Sequence, residues 1–385
     1  MVLVTAAGLV FMSLAVTPGL YDTFIVSKEI VFRAQALLAL LLLTLDTAVN
    51  GVGRLREMAR NKPVAALVLA TLVWTLVTTL ASTHRAWSVQ AALTVLFSVL
   101  IFLLVWYAAP WTPPAIIDVF VVLAAVHTFV ATTQELNLWE PFPLRLERLH
   151  LATTGLIGNP NVLGSYLAVV AVIAAAMAIS YRGWTSVLHA VGAVIALTGL
   201  AVSQTRTALL AAATAFTLTA VWRSWKHGVA LTALLALGFV AGAMAGFGPV
   251  ARLAAIPEQA RQGRWDEVLS ERFPAFLAAV EMFKDRPLTG LGPGTYKYHY
   301  MAYRIALYER YPTALVTGAP MNFHETHNDH LQILAEAGVF GYAIFIAALI
   351  VLGRGWRHVG NSTPIRLKLA HAIGFSVAAA AFVLC

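Results

Sequence analysis

Apolar residues run along this chain in blocks of about 18 to 22, divided by short polar breaks. A helix rises about 1.5 Å per residue, so each block matches a hydrocarbon core of about 30 Å. The blocks predict eleven helices, near 2–18, 30–49, 63–82, 89–109, 115–133, 162–181, 186–202, 207–222, 228–247, 329–353 and 366–385. A bilayer interior offers no water to backbone amides, which leaves helices or closed barrels. Alternating ten-residue strands are absent, and that removes the barrel. The expected fold is an all-α polytopic membrane protein of about 11–12 transmembrane helices.

Two longer polar stretches interrupt the pattern, Thr133 to Asn161 and Gly248 to His327. They divide the chain into transmembrane helices over 1–247, a loop or cap over 248–328, and further transmembrane helices over 329–385. The second stretch is too long for a bare connection, and a small, partly helical cap is expected there. It holds nine basic and eight acidic residues and so has little net charge.

Composition supports this reading. Hydrophobic residues make up 59% of the chain and charged residues 11%, against about 25% charged in soluble domains. The net charge of +8 would suggest nucleic acid in a soluble protein, but here it follows the positive-inside rule. With the N-terminus cytoplasmic, Arg54, Arg56, Arg60, Lys62, Arg182, Arg223, Lys226, Arg354, Arg357, Arg366 and Lys368 lie inside. Only Lys28, Arg33, Arg85, Arg145, Arg148 and Arg206 lie in short outer loops. Nine helices then precede the long loop, which is expected to face outward. Cys385 alone excludes a disulfide framework and a cysteine-based zinc site. No small-residue cleavage site closes the first apolar block, so no cleavable signal peptide is expected. The chain stops within the apolar run 370–385, and a longer natural protein is expected.

Four segments could carry chemistry. His324-Glu325-Thr326-His327-Asn328-Asp329-His330 suggests metal binding, but Asn328 stands where a zincin has its second histidine. A helix starting near His327 would align Leu331, Leu334, Gly338 and Gly341 below it, with the glycines admitting a close neighbour. Polar capping at the membrane surface is the plainer alternative. Ser203-Gln204-Thr205-Arg206-Thr207 puts an arginine beside hydrocarbon, either snorkelling or binding an anion through its bidentate fork. Arg272, in Ser270-Glu271-Arg272-Phe273-Pro274, reads as a solvated loop arginine paired with Glu271 or Asp266. Gly290-Leu291-Gly292-Pro293-Gly294 lacks a P-loop ending and reads as a turn. Tyr296, Tyr298, Tyr300 and Tyr303 beyond it suit sugar stacking or an interfacial belt equally.

In order, these segments resemble the bacterial O-antigen ligase/polymerase superfamily. His327-Asn328, nine residues, Gly338, two residues and Gly341 fit its ligase signature. Gly158-Asn159-Pro160-Asn161, Ser203 to Thr207, and Met282 to Pro287 before the glycine turn resemble further landmarks. The likeness spans Leu156 to Tyr342. It implies a metal-independent, inverting glycosyltransferase without a cofactor. That enzyme would move a glycan from an undecaprenyl-diphosphate carrier to an acceptor hydroxyl, on the periplasmic face of the inner membrane. His327 would be the general base, and Arg206 and Arg272 would bind the diphosphate. Arg261, Arg264 and Arg286 share Arg272's loop. His330, Asn328 and Asn161 are possible supporting residues, and His330 departs from the aromatic residue that relatives often carry there. O-antigen ligation onto lipid A–core ranks first. Polysaccharide polymerisation or protein O-glycosylation on the same scaffold is the alternative. A polysaccharide transporter is the rival from another class; few intrahelical charges, such as Asp46 and Asp118, and no inverted repeat speak against it.

Overall fold

The computed structural model describes residues 2–17, 24–108, 115–138, 153–223, 244, 248–269, 272–310 and 323–358. Among the described residues all regular structure is helical, with no strand. The helices are α1 (Val2–Leu14), α2 (Ile25–Asn50), α3 (Gly53–Arg60), α4 (Lys62–Leu80), α5 (Arg85–Ala108), α6 (Ala115–Glu135), α7 (Pro160–Ser180), α8 (Trp184–Val202) and α9 (Arg206–Arg223). Then come α10 (Gly248–Ala254), α11 (Ile256–Arg261), α12 (Trp265–Val268), α13 (Phe273–Asp285), α14 (Tyr296–Arg310) and α15 (Asp329–His358). Seven of these, α2, α4 to α8 and α15, are long and apolar enough to cross a membrane. The chain is therefore a multi-pass membrane protein. The expected helix near 366–385, and that near 228–247 apart from residue 244, lie outside the described residues. Helix α3 was not expected: its Gly-Arg-Leu-Arg-Glu-Met-Ala-Arg sequence has no buried residue and lies on the surface.

Helices α6 to α9 pack round a core that includes Leu163, Leu167, Ala171, Ala196, Leu200 and Ala212. Small residues set the spacing, as between transmembrane helices generally. A Cβ at Gly199 of α8 would sit 2.9 Å from Leu167 and 3.0 Å from the Cβ of Thr128. Leu41, Leu69, Val122, Phe129 and Leu188 point outward and are exposed, as a lipid-facing surface requires. Intrahelical polar groups find partners inside the bundle. Asp46 accepts from Tyr107 and from Asn50, Asp118 lies 3.1 Å from His189, and Ser13 Oγ lies 2.6 Å from Nε2 of the buried His127.

Arg54, Arg56, Arg60 and Lys62 lie at one end of this bundle and the polar cap at the other. Helix α2 begins with Phe24 against Gly158, just before α7, and ends beside Arg54, Arg56, Arg60 and Lys62. Arg54 covers the ring of Tyr107 at that same end, 4.7 Å from its centroid. Helix α4 then returns to the cap end, where residues 81–88 bond to the glycine turn. Helices α13, α14 and the start of α15 form the cap core, with Ala275, Ala278, Ala279, Met282, Tyr296, Tyr300 and Ala335 all buried.

Helix α15 departs from the expected single span. Gly338 has φ 67° and ψ −171°, which breaks the helix. The stripe expected to run from Leu331 to Gly341 on one face is therefore interrupted. The break exposes backbone groups that a membrane interior cannot leave unpaired. The glycine turn takes them: Leu291 N donates to Ala335 O at 2.9 Å and Gly292 N to Glu336 O at 3.0 Å. Trp74 Nε1 donates to Ala337 O at 2.9 Å, and Val339 N donates to Pro287 O at 2.8 Å. Thus the first part of α15, with Ala335 buried, packs into the cap, and Gly338 marks the kink within the candidate span Asp329–Val351. The close approach expected at the glycine pair is real, but the 286–290 turn meets Gly338 while Trp74 of α4 meets Gly341.

Candidate functional site

Three cations or potential cations converge at the cap end. Arg206 is the first residue of α9, on a turn in which Gln204 takes φ 54°. The turn is hooked to the start of α7, where Thr205 Oγ1 donates to Pro160 O at 2.9 Å. Gly164 leaves room for it, since a Cβ there would come within 2.7 Å of Thr205. Helix α7 itself opens with Pro160 in its first turn and Asn159 as N-cap, whose side chain accepts from Asn161 N at 2.8 Å. Asn161 is exposed at this helix start. Two helix N-termini and Arg206 thus share one corner, an arrangement that favours anions.

Arg272 is the N-cap of α13 and is only partly exposed. Burial lowers its pKa from the usual arginine value, and the neighbouring charge of Arg206 lowers it further. Two neighbouring guanidiniums present paired forks of the kind that can bind an anionic group. Of the carboxylates that could pair with Arg272, Glu271 lies outside the described residues.

His327 sits between the cap and α15 with φ 54°, in the left-handed region where side chains are uncommon. Hydrogen bonds on both sides hold it there. Thr326 Oγ1 donates to Asn328 O at 2.7 Å and accepts from Asn328 N at 3.0 Å. Thr326 N donates to Gln332 Oε1 at 2.9 Å, and Gln332 Nε2 donates to Glu336 at 3.2 Å. Glu336 in turn accepts from Gly294 N at 2.8 Å and Tyr296 N at 3.0 Å at the start of α14. Asn328 caps α15, its side chain accepting from Leu331 N at 3.2 Å. The imidazole packs edge-on against Phe323, with centroids 5.5 Å apart, and Phe323 packs likewise against Tyr300. Burial first, and then the charge of Arg272, lowers the His327 pKa to about 4. The ring is accordingly neutral near pH 7, while one side still opens to solvent.

The structure therefore brings Arg272 within electrostatic reach of both Arg206 and His327. His330 is turned elsewhere. Its Nδ1 lies 3.1 Å from Tyr342 Oη, and its ring packs on Tyr342 and Phe345 of its own helix. Among the described residues no three His, Cys, Asp or Glu side chains converge as a metal site would require. Sequence reasoning missed Thr326, Gln332 and Glu336. An acid within an apolar block was the available signal for Glu336.

The chain combines seven helices long enough and apolar enough to cross a membrane with a corner at which Arg272 lies near both Arg206 and His327. Residues 191–346 match the family model described as O-antigen ligase, which supports the resemblance to the O-antigen ligase/polymerase superfamily. The match contains Arg206, Arg272, His327, Gly338 and Gly341, and it supports glycan transfer of the O-antigen ligase type. Among curated proteins none matches the chain.

Proposed function

We propose that the chain transfers a glycan from an undecaprenyl-diphosphate carrier to an acceptor hydroxyl on the periplasmic face of the inner membrane, with lipid A–core as the acceptor. The convergence of Arg206, Arg272 and His327 at one end of the bundle carries this reading. Sidedness is supported by the clustering of Arg54, Arg56, Arg60 and Lys62 at the opposite end. In the reaction the acceptor oxygen attacks the anomeric carbon while the bond to the diphosphate breaks. His327 takes the hydroxyl proton, and the diphosphate leaves with the bonding electrons. Arg206 and Arg272 meet the charge that develops, which is the electrostatic work a metal would otherwise do. Diphosphate bound beside Arg272 offsets the charge that depresses His327 and so raises its basicity at the moment of use. Attack opposite the leaving group inverts the anomeric centre. The same residues would serve a glycan or protein acceptor equally.

The test is transfer by purified protein in nanodiscs, given lipid-linked donor and lipid A–core in excess EDTA. Glycosylated acceptor and free carrier diphosphate are the expected products. Activity that vanishes in EDTA and returns with Mg²⁺ would overturn the arginine-based mechanism.

A further inference from the structure

Away from His327, the corner between α4 and α5 meets α14 in an exposed group of rings. Trp87 and Tyr298 stack with centroids 4.8 Å apart and planes 27° apart, and they remain 47% and 38% exposed. The Lys297 ammonium lies 5.2 Å from the Tyr298 centroid and 5.9 Å from that of Trp87. His84 flanks Tyr298 at 6.0 Å and His299 at 5.1 Å.

This group is rigidly framed. Thr83 Oγ1 lies 2.8 Å from His299 Nε2, Thr83 N donates to Leu291 O at 3.0 Å, and Ser88 Oγ donates to Pro293 O at 2.9 Å. Arg286 donates to Ala81 O at 3.0 Å from the other side. The rings thus bridge the membrane bundle and the cap, at the same end as Arg206 and His327. Lys297 also reaches Glu325, two residues before His327. Burial and Asp329 raise the Glu325 pKa, and Lys297 opposes them.

We propose that Trp87 and Tyr298, with Lys297, form a binding subsite for a pyranose ring bearing a carboxylate or phosphate, part of a glycan substrate beside the transfer site. The proposal rests on the glycan-transfer reading. The C–H face of a pyranose is apolar and slightly electropositive, and it settles on the electron-rich face of an indole or phenol. An ammonium over the same rings fits an anionic substituent and disfavours a cationic one. Tyrosines and tryptophans of an interfacial belt need neither mutual stacking nor a fixed frame.

Binding and turnover are measured separately on the full chain in nanodiscs. Two probes are titrated by calorimetry: phosphorylated core oligosaccharide freed of its acyl chains, and repeat-unit oligosaccharide released from its carrier. Trp87→Ala and Lys297→Gln should weaken one probe about tenfold. They should raise the KM for the matching substrate while kcat stays within about twofold, because His327, Arg206 and Arg272 are untouched. Loss of the first probe assigns the acceptor glycan, and loss of the second assigns the donor glycan. Trp87→Phe should restore binding, which separates the subsite from a folding defect. Unchanged binding and KM in both variants, with effects confined to melting temperature or reconstitution, would overturn the subsite in favour of a membrane belt. A parent protein that binds a probe through Trp87 yet transfers nothing would keep the subsite and remove the transfer reading.

Discussion

Replacing Gly338 by alanine asks the backbone for two things it resists. With φ 67° and ψ −171° the position lies in a region occupied essentially by glycine, at a cost of about 1–3 kcal/mol for other residues. A Cβ there would overlap the Leu288 carbonyl and come within 2.7 Å of Thr289 N, and both obstacles are backbone. Relief requires moving the 286–290 turn. That strains the Val339 N to Pro287 O and Leu291 N to Ala335 O bonds, each worth about 1 kcal/mol. Together the loss is about 3–5 kcal/mol, a large part of a typical folding margin of about 5–15 kcal/mol. Thermal unfolding in fixed detergent should show a fall of at least roughly 5 °C, with glycan transfer reduced as the cap loosens over Arg272 and His327. Gly53→Ala is the control, since a Cβ there meets nothing within 4 Å. A Gly338→Ala protein that melts and transfers like the parent would refute the account of the kink.

Thr326→Val keeps shape but removes both hydroxyl bonds to Asn328. The kcat should fall about tenfold with little change in donor KM, and Thr326→Ser should retain activity; a valine variant at parental kcat would remove Thr326 from the support of His327. Because the folded His327 pKa lies below the ordinary histidine value, the imidazole stays neutral between about 4 and 6.5. The acid limb of kcat/KM should therefore fall near pH 4 and move upward in the residual activity of Arg272→Gln, stopping short of 6.5 because burial is the larger cause. A parental limb already at 6.5 would contradict the depressed pKa.

Most of the bundle was legible because a transmembrane block is a local signal, readable from some twenty consecutive residues. The glycines and polar groups at the kink were legible only as a motif. Their physical role depends on residues 286–292 folding back onto α15, across about 44 to 52 positions of the chain. Tyr296 and Tyr300 looked like belt or sugar-stacking residues; both are fully buried in the cap core, while Tyr298 between them is exposed. Alternation of that kind becomes readable only once α13 supplies the opposing face. His327 stood out through its spacing to Gly338 and Gly341. Arg272 was one of several loop arginines, and its closeness to His327 follows from the cap's tertiary fold.

The central claim is that His327 takes the acceptor proton while Arg206 and Arg272 hold the diphosphate. Glycan transfer and carrier-lipid binding, measured together for Arg206→Lys, His327→Ala and His330→Ala in matched detergent, test it most directly. Arg206→Lys keeps the charge but loses the bidentate fork, so carrier binding should weaken strongly. His330→Ala should retain substantial transfer, since its ring rests on Tyr342 and Phe345. His327→Ala should bind carrier within about twofold of the parent, because the base acts only as the hydroxyl attacks, and lose about 10²- to 10⁴-fold in transfer rate. Near-parental transfer by a correctly folded His327→Ala protein would contradict the assignment and turn attention to His330.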